Sequence, residues 1–259
     1  MKGRKVEESF VLFLDVLGFS ELVLNNSHEA VEKICDSELR QTAAASTMIS
    51  AAMTGNLHRS FEVKSSHQGA LIDVHQDYIN LHMMSDSLIA WTKDTSIESL
   101  VLLTNFAAQY LAQTVMLGLP HRGAISKGTI KILDLPLNGR PQSNAVGSGL
   151  VRAHRFEGGQ DWMGCVIDPD CICTFPAKFI DDWSSRPKSG LAIYQVPYKK
   201  GARFTSSLAV DWRPAFTLFG LRISQEYFQE QFERYNKPVT DDVKIKIENT
   251  RIFFNALGS

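Results

Sequence analysis

The chain has 259 residues, 44% of them hydrophobic, which is enough to bury a substantial core in one large domain. Lysine and arginine (27) nearly balance aspartate and glutamate (28), for a net charge of -1, so the composition argues against a nucleic-acid partner wrapped along a basic face. Apolar runs such as Phe10 to Leu14 and Leu100 to Leu103 fall far short of the roughly 18 residues of a bilayer span, and no secretory h-region opens the chain, so a cytoplasmic protein without membrane contact is expected.

Phe10-Val11-Leu12-Phe13-Leu14 followed by Asp15-Val16-Leu17-Gly18-Phe19 reads as a buried central strand that ends on a carboxylate and a glycine turn. Residues 27–58 are rich in Glu, Ala, Lys and Met and lack proline, which predicts helix, with Ser27 at its start. Over 60–76 the breaks at Ser65-Ser66 and Gly69 predict a loop. Residues 78–91 alternate, and Ser85-Asp86-Ser87 interrupts them, which predicts a hairpin with an aspartate at its tip. Thr95-Ser96-Ile97-Glu98 offers a capping box for a helix carrying Leu100, Leu103, Ala107, Tyr110, Leu111 and Val115, ended by Gly118 and Pro120. A strand is expected over 121–130, a loop running into a helix over 144–157, and two amphipathic helices over 223–235 and 240–254, packed on the core or across a dimer interface. This order predicts an α+β fold: a ferredoxin-like βαββαβ sheet with helices on one face and a C-terminal helical extension. The expected division is a catalytic domain over 8–200 and the extension over 201–259.

The four cysteines form no CxxC pair; Cys171 and Cys173 alone fall short of the about four ligands of a structural zinc site, so buried thiols are expected. The seven histidines are scattered without an HExxH pattern. The chemistry lies instead in two aspartates. In a βαββαβ sheet the first strand lies beside the hairpin, so Asp15 and Asp86 meet, and paired carboxylates suit magnesium or manganese completed by substrate phosphates. Either aspartate taken alone is equally a turn former or helix cap.

The surrounding residues carry a resemblance. Leu14-Asp15-Val16-Leu17-Gly18-Phe19-Ser20 resembles the first-strand metal motif of class III adenylyl and guanylyl cyclases, Asp-Ile-x-Gly-Phe-Thr, and Ser85-Asp86-Ser87 resembles their Gly-Asp-Ser hairpin. Arg122-Gly123-Ala124-Ile125-Ser126-Lys127-Gly128 is similar to Arg-x-Gly-Ile-x-x-Gly, with the first glycine one place early. The run from Gly147 to Glu157 matches Gly-x-x-Val-Asn-x-Ala-x-Arg-x-Glu without gaps, which puts Arg155 on the transition-state arginine and Val151 where the family has its ribose-orienting asparagine.

The resemblance implies that Asp15, Asp86 and the Val16 backbone carbonyl hold two divalent cations, Mn2+ or Mg2+. It implies base reading by His82 and Asn144, substrate contact by Phe19, and terminal-phosphate contact by Lys188, which is otherwise a solvated loop lysine. His82 and Asn144 match neither purine pattern, and an asparagine amide can read uracil or, flipped, cytosine. With the Asn-Ala-Val-Gly-x-Gly-Leu-Val-x-Ala-His run and the 244–254 stretch, the chain resembles the uridylate and cytidylate cyclases of bacterial Pycsar antiphage systems. That implies UTP, or CTP, as substrate, a homodimer with sites at its interface, and a cyclic product that acts on a separate effector. The competing readings are a degenerate domain that binds nucleotide as a sensor, a purine cyclase, and a palm-type polymerase or diguanylate cyclase; the last lacks its Gly-Gly-Asp/Glu-Glu-Phe run.

Overall fold

A computed structural model describes residues 8–53, 63–64, 73–74, 79–134, 143–185, 189–218, 223–224 and 226–256. The first strand, β1 (Glu8–Val16), is followed by α1 (Phe19–Asn25), α2 (His28–Lys33), a π-helical turn (Ile34–Glu38) and α3 (Leu39–Met53). A short ladder, β2 (Val63–Lys64) with β3 (Asp73–Val74), precedes the hairpin β4 (Ile79–Met84) and β5 (Ser87–Thr92), then α4 (Ile97–Met116) and β6 (His121–Thr129). A second ladder, β7 (Lys131–Asp134) with β8 (Ser143–Val146), leads into α5 (Ser148–Gly158), β9 (Cys165–Ile167), α6 (Ala177–Ser185), β10 (Leu191–Ile193) and β11 (Leu208–Val210). The described chain closes with α7 (Arg213–Leu218), α8 (Tyr227–Glu233) and α9 (Asp241–Ala256).

The main sheet has seven strands in the order β10-β11-β9-β6-β1-β5-β4. Its β6-β1-β5-β4 half is antiparallel throughout and is the βαββαβ arrangement expected from the sequence. β1 is paired on both edges, which is why its apolar run is continuous rather than alternating. Leu12 and Leu14 point into the main core with Leu81, Leu88 and Ala90, under α4. Val11 and Phe13 point the other way, toward α5, where the His154 ring stands edge-on to Phe13 at 5.3 Å. Helices therefore cover both faces, not one as expected. The reason is the small residues at the α5 crossing: a Cβ on Gly149 would come within 2.7 Å of Val11 Cγ2, and one on Gly128 within 2.5 Å of the Gly149 nitrogen.

α4 carries the expected apolar residues, and Leu100, Leu103, Ala107, Tyr110, Leu111 and Val115 are all buried. Truncating one of its leucines to alanine is a change of about 2–5 kcal/mol. Its cap is shifted by one residue from the expected box. Ser96 is the N-cap, accepting from the Ser99 N–H at 3.2 Å, while Asp94 Oδ1 accepts from the Ser96 N–H and from both serine hydroxyls. Those donors hold the Asp94 carboxyl below its ordinary value. Gly118, at φ +81, ends the helix, and the Leu119 N–H returns to the Thr114 carbonyl at 2.8 Å.

Ser27 caps α2 through the Ala30 N–H, and helix runs on to Met53; 54–58 lie outside the described residues. In the predicted loop over 60–76, Val63–Lys64 and Asp73–Val74 pair as an antiparallel ladder, and the rest lies outside the described residues. β11, at 208–210, completes the main sheet. α8 and α9 pack on the core of their own chain through an aromatic cluster, with Phe254 4.7 Å from Trp212 and 4.9 Å from Phe228, and Phe253 4.8 Å from Trp162. Each such pair adds about 0.5–1.5 kcal/mol beyond burial.

Cys165 and Cys171 are buried as expected and their thiols are pushed up by desolvation; Cys173 is exposed and Cys35 half-buried, so the buried-thiol expectation fails for those two. Cys173 faces solvent because it lies past the short 3-10 turn that buries Cys171. Among the described residues no helix is long and apolar enough to cross a membrane.

Candidate active site

Asp15 sits one residue from the end of β1, directly opposite Ser87 on β5 and Arg122 on β6. Directly opposed residues of antiparallel strands share a face, so Met84, Ser87, Asp15 and Arg122 form one row, and His82, Ile89, Phe13 and Ala124 the next. The Ser87 hydroxyl donates to Asp15 Oδ1 at 2.9 Å. Asp86 is at the tip of the two-residue turn, and the Val16 N–H donates to its carbonyl at 3.1 Å, which ties the tip to the end of β1. Ser85, beside it, adopts φ +53, a left-handed conformation that favours glycine; this is the glycine position of the Gly-Asp-Ser pattern.

The electrostatics of this strand end are lopsided. Asp15 is raised from 3.8 to about 6, first by burial; the Ser87 hydrogen bond opposes this, the charges of Asp86 and Glu157 add to it, and that of Arg122 works against it. Arg122 is nine-tenths buried and committed elsewhere: its Nε donates to Glu157 Oε1 at 2.6 Å and its Nη1 to the Gln160 carbonyl at 3.0 Å. With Arg122 matched by Glu157, the two aspartates keep their mutual repulsion. A divalent cation fits this pair, because hard oxygen ligands that are partly dehydrated and repel each other are stabilised by a shared positive ion. Among the described residues no group of three or more His, Cys, Asp or Glu is placed to hold a metal ion.

The other candidates are distributed as follows. Val16 is buried, opposite His121 at the end of the β1–β6 ladder. Phe19 opens α1 and packs against the main core. His82 is buried on β4 in the row next to that of Asp15, whereas Asn144 is exposed on β8, in the separate ladder opposite Leu133. The two base-reading candidates thus lie on different sheets. Arg155 is on the outer face of α5, exposed, its guanidinium 5.7 Å from the centroid of the Phe204 ring rather than against the aspartates. Val151, one helical turn earlier, is 52% exposed on the same face. Lys188 lies outside the described residues.

Two ion pairs made by α5 were not read from the sequence. One is the Arg122–Glu157 ion pair, both of whose members stood in the quoted motifs without an assigned role. The other is the Arg152–Asp168 pair, in which Asp168 is fully buried and takes both Nε and Nη2 of Arg152, the latter at 3.0 Å, fixing α5 to the end of β9. Residues 35 and 16 positions apart meet here, and only the α5 crossing brings them together.

No family model matches the chain, and no curated protein does. Among solved structures, the dimeric guanylyl cyclase domain of the RhoGC fusion protein from the aquatic fungus Blastocladiella emersonii is 17% identical, with a TM-score of 0.41 over 64% of this chain and 81% of that one. A bacterial light-regulated adenylyl cyclase is 10% identical, with a TM-score of 0.40 over 90% and 100%. A class III adenylyl cyclase-like ATP-binding protein from Pseudomonas aeruginosa is 13% identical, with a TM-score of 0.36 over 82% and 40%. At these scores the likenesses add nothing to the strand order and site geometry above.

Proposed function

We propose that the chain is a nucleotidyl cyclase of the class III type, which closes a nucleoside triphosphate to its 3′,5′-cyclic monophosphate and pyrophosphate. The observation that carries this reading is the pairing of Asp15 with the Asp86 hairpin at one strand end, where Arg122, opposite Asp15, is bound to Glu157. Asp15, Asp86 and the Val16 carbonyl would hold two divalent cations, Mn2+ or Mg2+. When bound, such ions supply activation of the 3′-hydroxyl and stabilisation of the leaving pyrophosphate. The 3′-oxygen bonds to the α-phosphorus, the bridging bond to the β-phosphate breaks, and the hydroxyl proton passes to water.

Arg155 supplies a permanently charged planar donor for the α-phosphate oxygens as charge develops there. Its exposure on the outer face of α5 suits a role across a homodimer interface, in the partner's site. Val151 offers the ribose an apolar surface in place of an amide. His82 and Asn144 favour a pyrimidine, UTP ahead of CTP, and Phe19 and Lys188 complete the substrate contacts. The product would then be a cyclic pyrimidine nucleotide that acts on a separate effector in antiphage defence.

A second reading, a nucleotide sensor without turnover, is favoured by Val151 at the ribose position. The deciding experiment incubates the purified protein with Mn2+ and ATP, GTP, CTP or UTP in turn and identifies products by mass spectrometry. A cyclic pyrimidine supports the full reading; a cyclic purine keeps the chemistry and rejects the base assignment. Nucleotide binding without product from any of the four supports the sensor.

A further inference from the structure

Directly behind the turn that follows Asp15 lies a polar centre that the proposed chemistry does not use. Lys237, four residues past α8, is 2% exposed, although lysine is among the residues least often buried. Its Nζ donates to the Gly118 carbonyl at 2.8 Å and reaches the Leu17 carbonyl at 3.5 Å, and it lies 4.5 Å from the centroid of the Phe232 ring. Burial pulls its ammonium down to about 7. The two carbonyls belong to the turns on either side of the site: Leu17 follows Asp15 by two residues, and Gly118 leads into β6, whose Arg122 faces Asp15. The turns are also joined directly, by the Leu17 N–H to the Pro120 carbonyl at 2.9 Å.

The fit is close on both sides. Gly18 and Gly118 both have left-handed φ, +74 and +81; a Cβ on the first would meet Phe232 Cζ at 3.0 Å, and one on the second Arg234 Cβ at 2.6 Å. The same short segment grips the helix that continues from the Asp15 turn. Asn26 Nδ2 donates to the Tyr235 carbonyl at 2.5 Å and Asn25 Nδ2 to that of Asn236 at 2.9 Å, while Asn236 Nδ2 donates to Asn26 Oδ1 at 3.1 Å. The Tyr235 hydroxyl donates to Glu38 Oε2 at 2.9 Å, and Arg234 Nη1 to the Met116 carbonyl at 2.9 Å. Tyr235 and Asn236 are both left-handed, at φ +61 and +54, a conformation that persists only where surrounding contacts enforce it.

We infer that residues 234–237 form a strap that holds the turn following Asp15, with Lys237 as a positioning residue for the carboxylate site. The metal-site part of this rests on the cyclase reading; the clasp itself does not. The test uses the full chain carrying Lys237→Met, with Asn236→Ala, at an exposed residue, as a second variant that decides the matter should the first not fold. Amide hydrogen exchange over 17–22 and 117–120 is expected to accelerate in the variants while 121–129 keeps its protection. Mn2+ uptake, read by the paramagnetic resonance of free Mn2+, is expected to need about tenfold more metal at its midpoint in either variant, the range of a lost supporting contact. A merely structural loss would lower the amount of competent protein and leave that midpoint in place. Unchanged exchange overturns the strap, and faster exchange with an unchanged Mn2+ midpoint overturns the positioning role. Asp15→Ala is the control: if wild-type uptake is indifferent to it, the cyclase reading fails, and the exchange data then decide the strap by themselves.

Discussion

Replacing Asp15 by asparagine should stabilise the metal-free protein while removing its response to metal. The aspartate is raised from 3.8 to about 6, chiefly by burial, so its ionised form is held at a cost at neutral pH. Counted in full, that difference is about 3 kcal/mol; the side chain is only half-buried and its charge is screened by solvent, which leaves about 1–2 kcal/mol. Asn keeps an oxygen to accept the Ser87 hydroxyl, so the substitution removes charge with little change of shape. At about 2–4 °C per kcal/mol for a chain of this size, Asp15→Asn should melt roughly 3–6 °C above wild type in chelator at pH 7.5. A carboxyl raised on folding binds its proton more tightly in the folded state, so the wild type loses this stability as pH rises from about 3.8 to about 6. The advantage of the variant should therefore be full above pH 6 and vanish below pH 4. Adding Mn2+ at 100 times its Kd should stabilise wild type by about 2.7 kcal/mol and leave the variant where it was, reversing the order of melting. Differential scanning fluorimetry across pH, with and without Mn2+, measures all of this. A variant no more stable than wild type in chelator, or one equally stabilised by Mn2+, refutes the reasoning.

Glu157→Ala leaves the Arg122 guanidinium buried and unpaired and should cost about 3–5 kcal/mol in urea unfolding, whereas the double change to Arg122→Met and Glu157→Met should cost less than the single one. Arg155→Ala should cut kcat about 100-fold, with melting unchanged, because the side chain is exposed and acts on charge formed only in the transition state. Ser85→Gly should raise stability by about 0.5–1 kcal/mol by relieving a left-handed serine at the hairpin tip, read from the shift in denaturation midpoint. Gly128→Ala should destabilise by about 1–3 kcal/mol, since the new Cβ would press on the backbone of Gly149 where α5 crosses β6.

The sequence by itself determined the elements whose signals are local. The uninterrupted apolar run of β1, the alternation about Ser85 and Asp86, and the spacing of Leu100 through Val115 each follow from the period of one strand or helix and its neighbours' chemistry. From those elements the strand order followed, and with it the meeting of Asp15 and the Asp86 hairpin. The short strands β9, β10 and β11 were not legible, because three residues carry too little pattern and gain their pairing only from the sheet already present. Nor was the face on which α5 lies, which rests on two glycines at positions 128 and 149 that fit together across the crossing. Only the tertiary structure decided that Arg122, opposite Asp15, pairs with Glu157, and that Lys237, 222 residues after Asp15, is buried against the turn behind it. The charge on a side chain is written in the sequence; what that charge faces is a consequence of long-range packing, which local propensity does not encode.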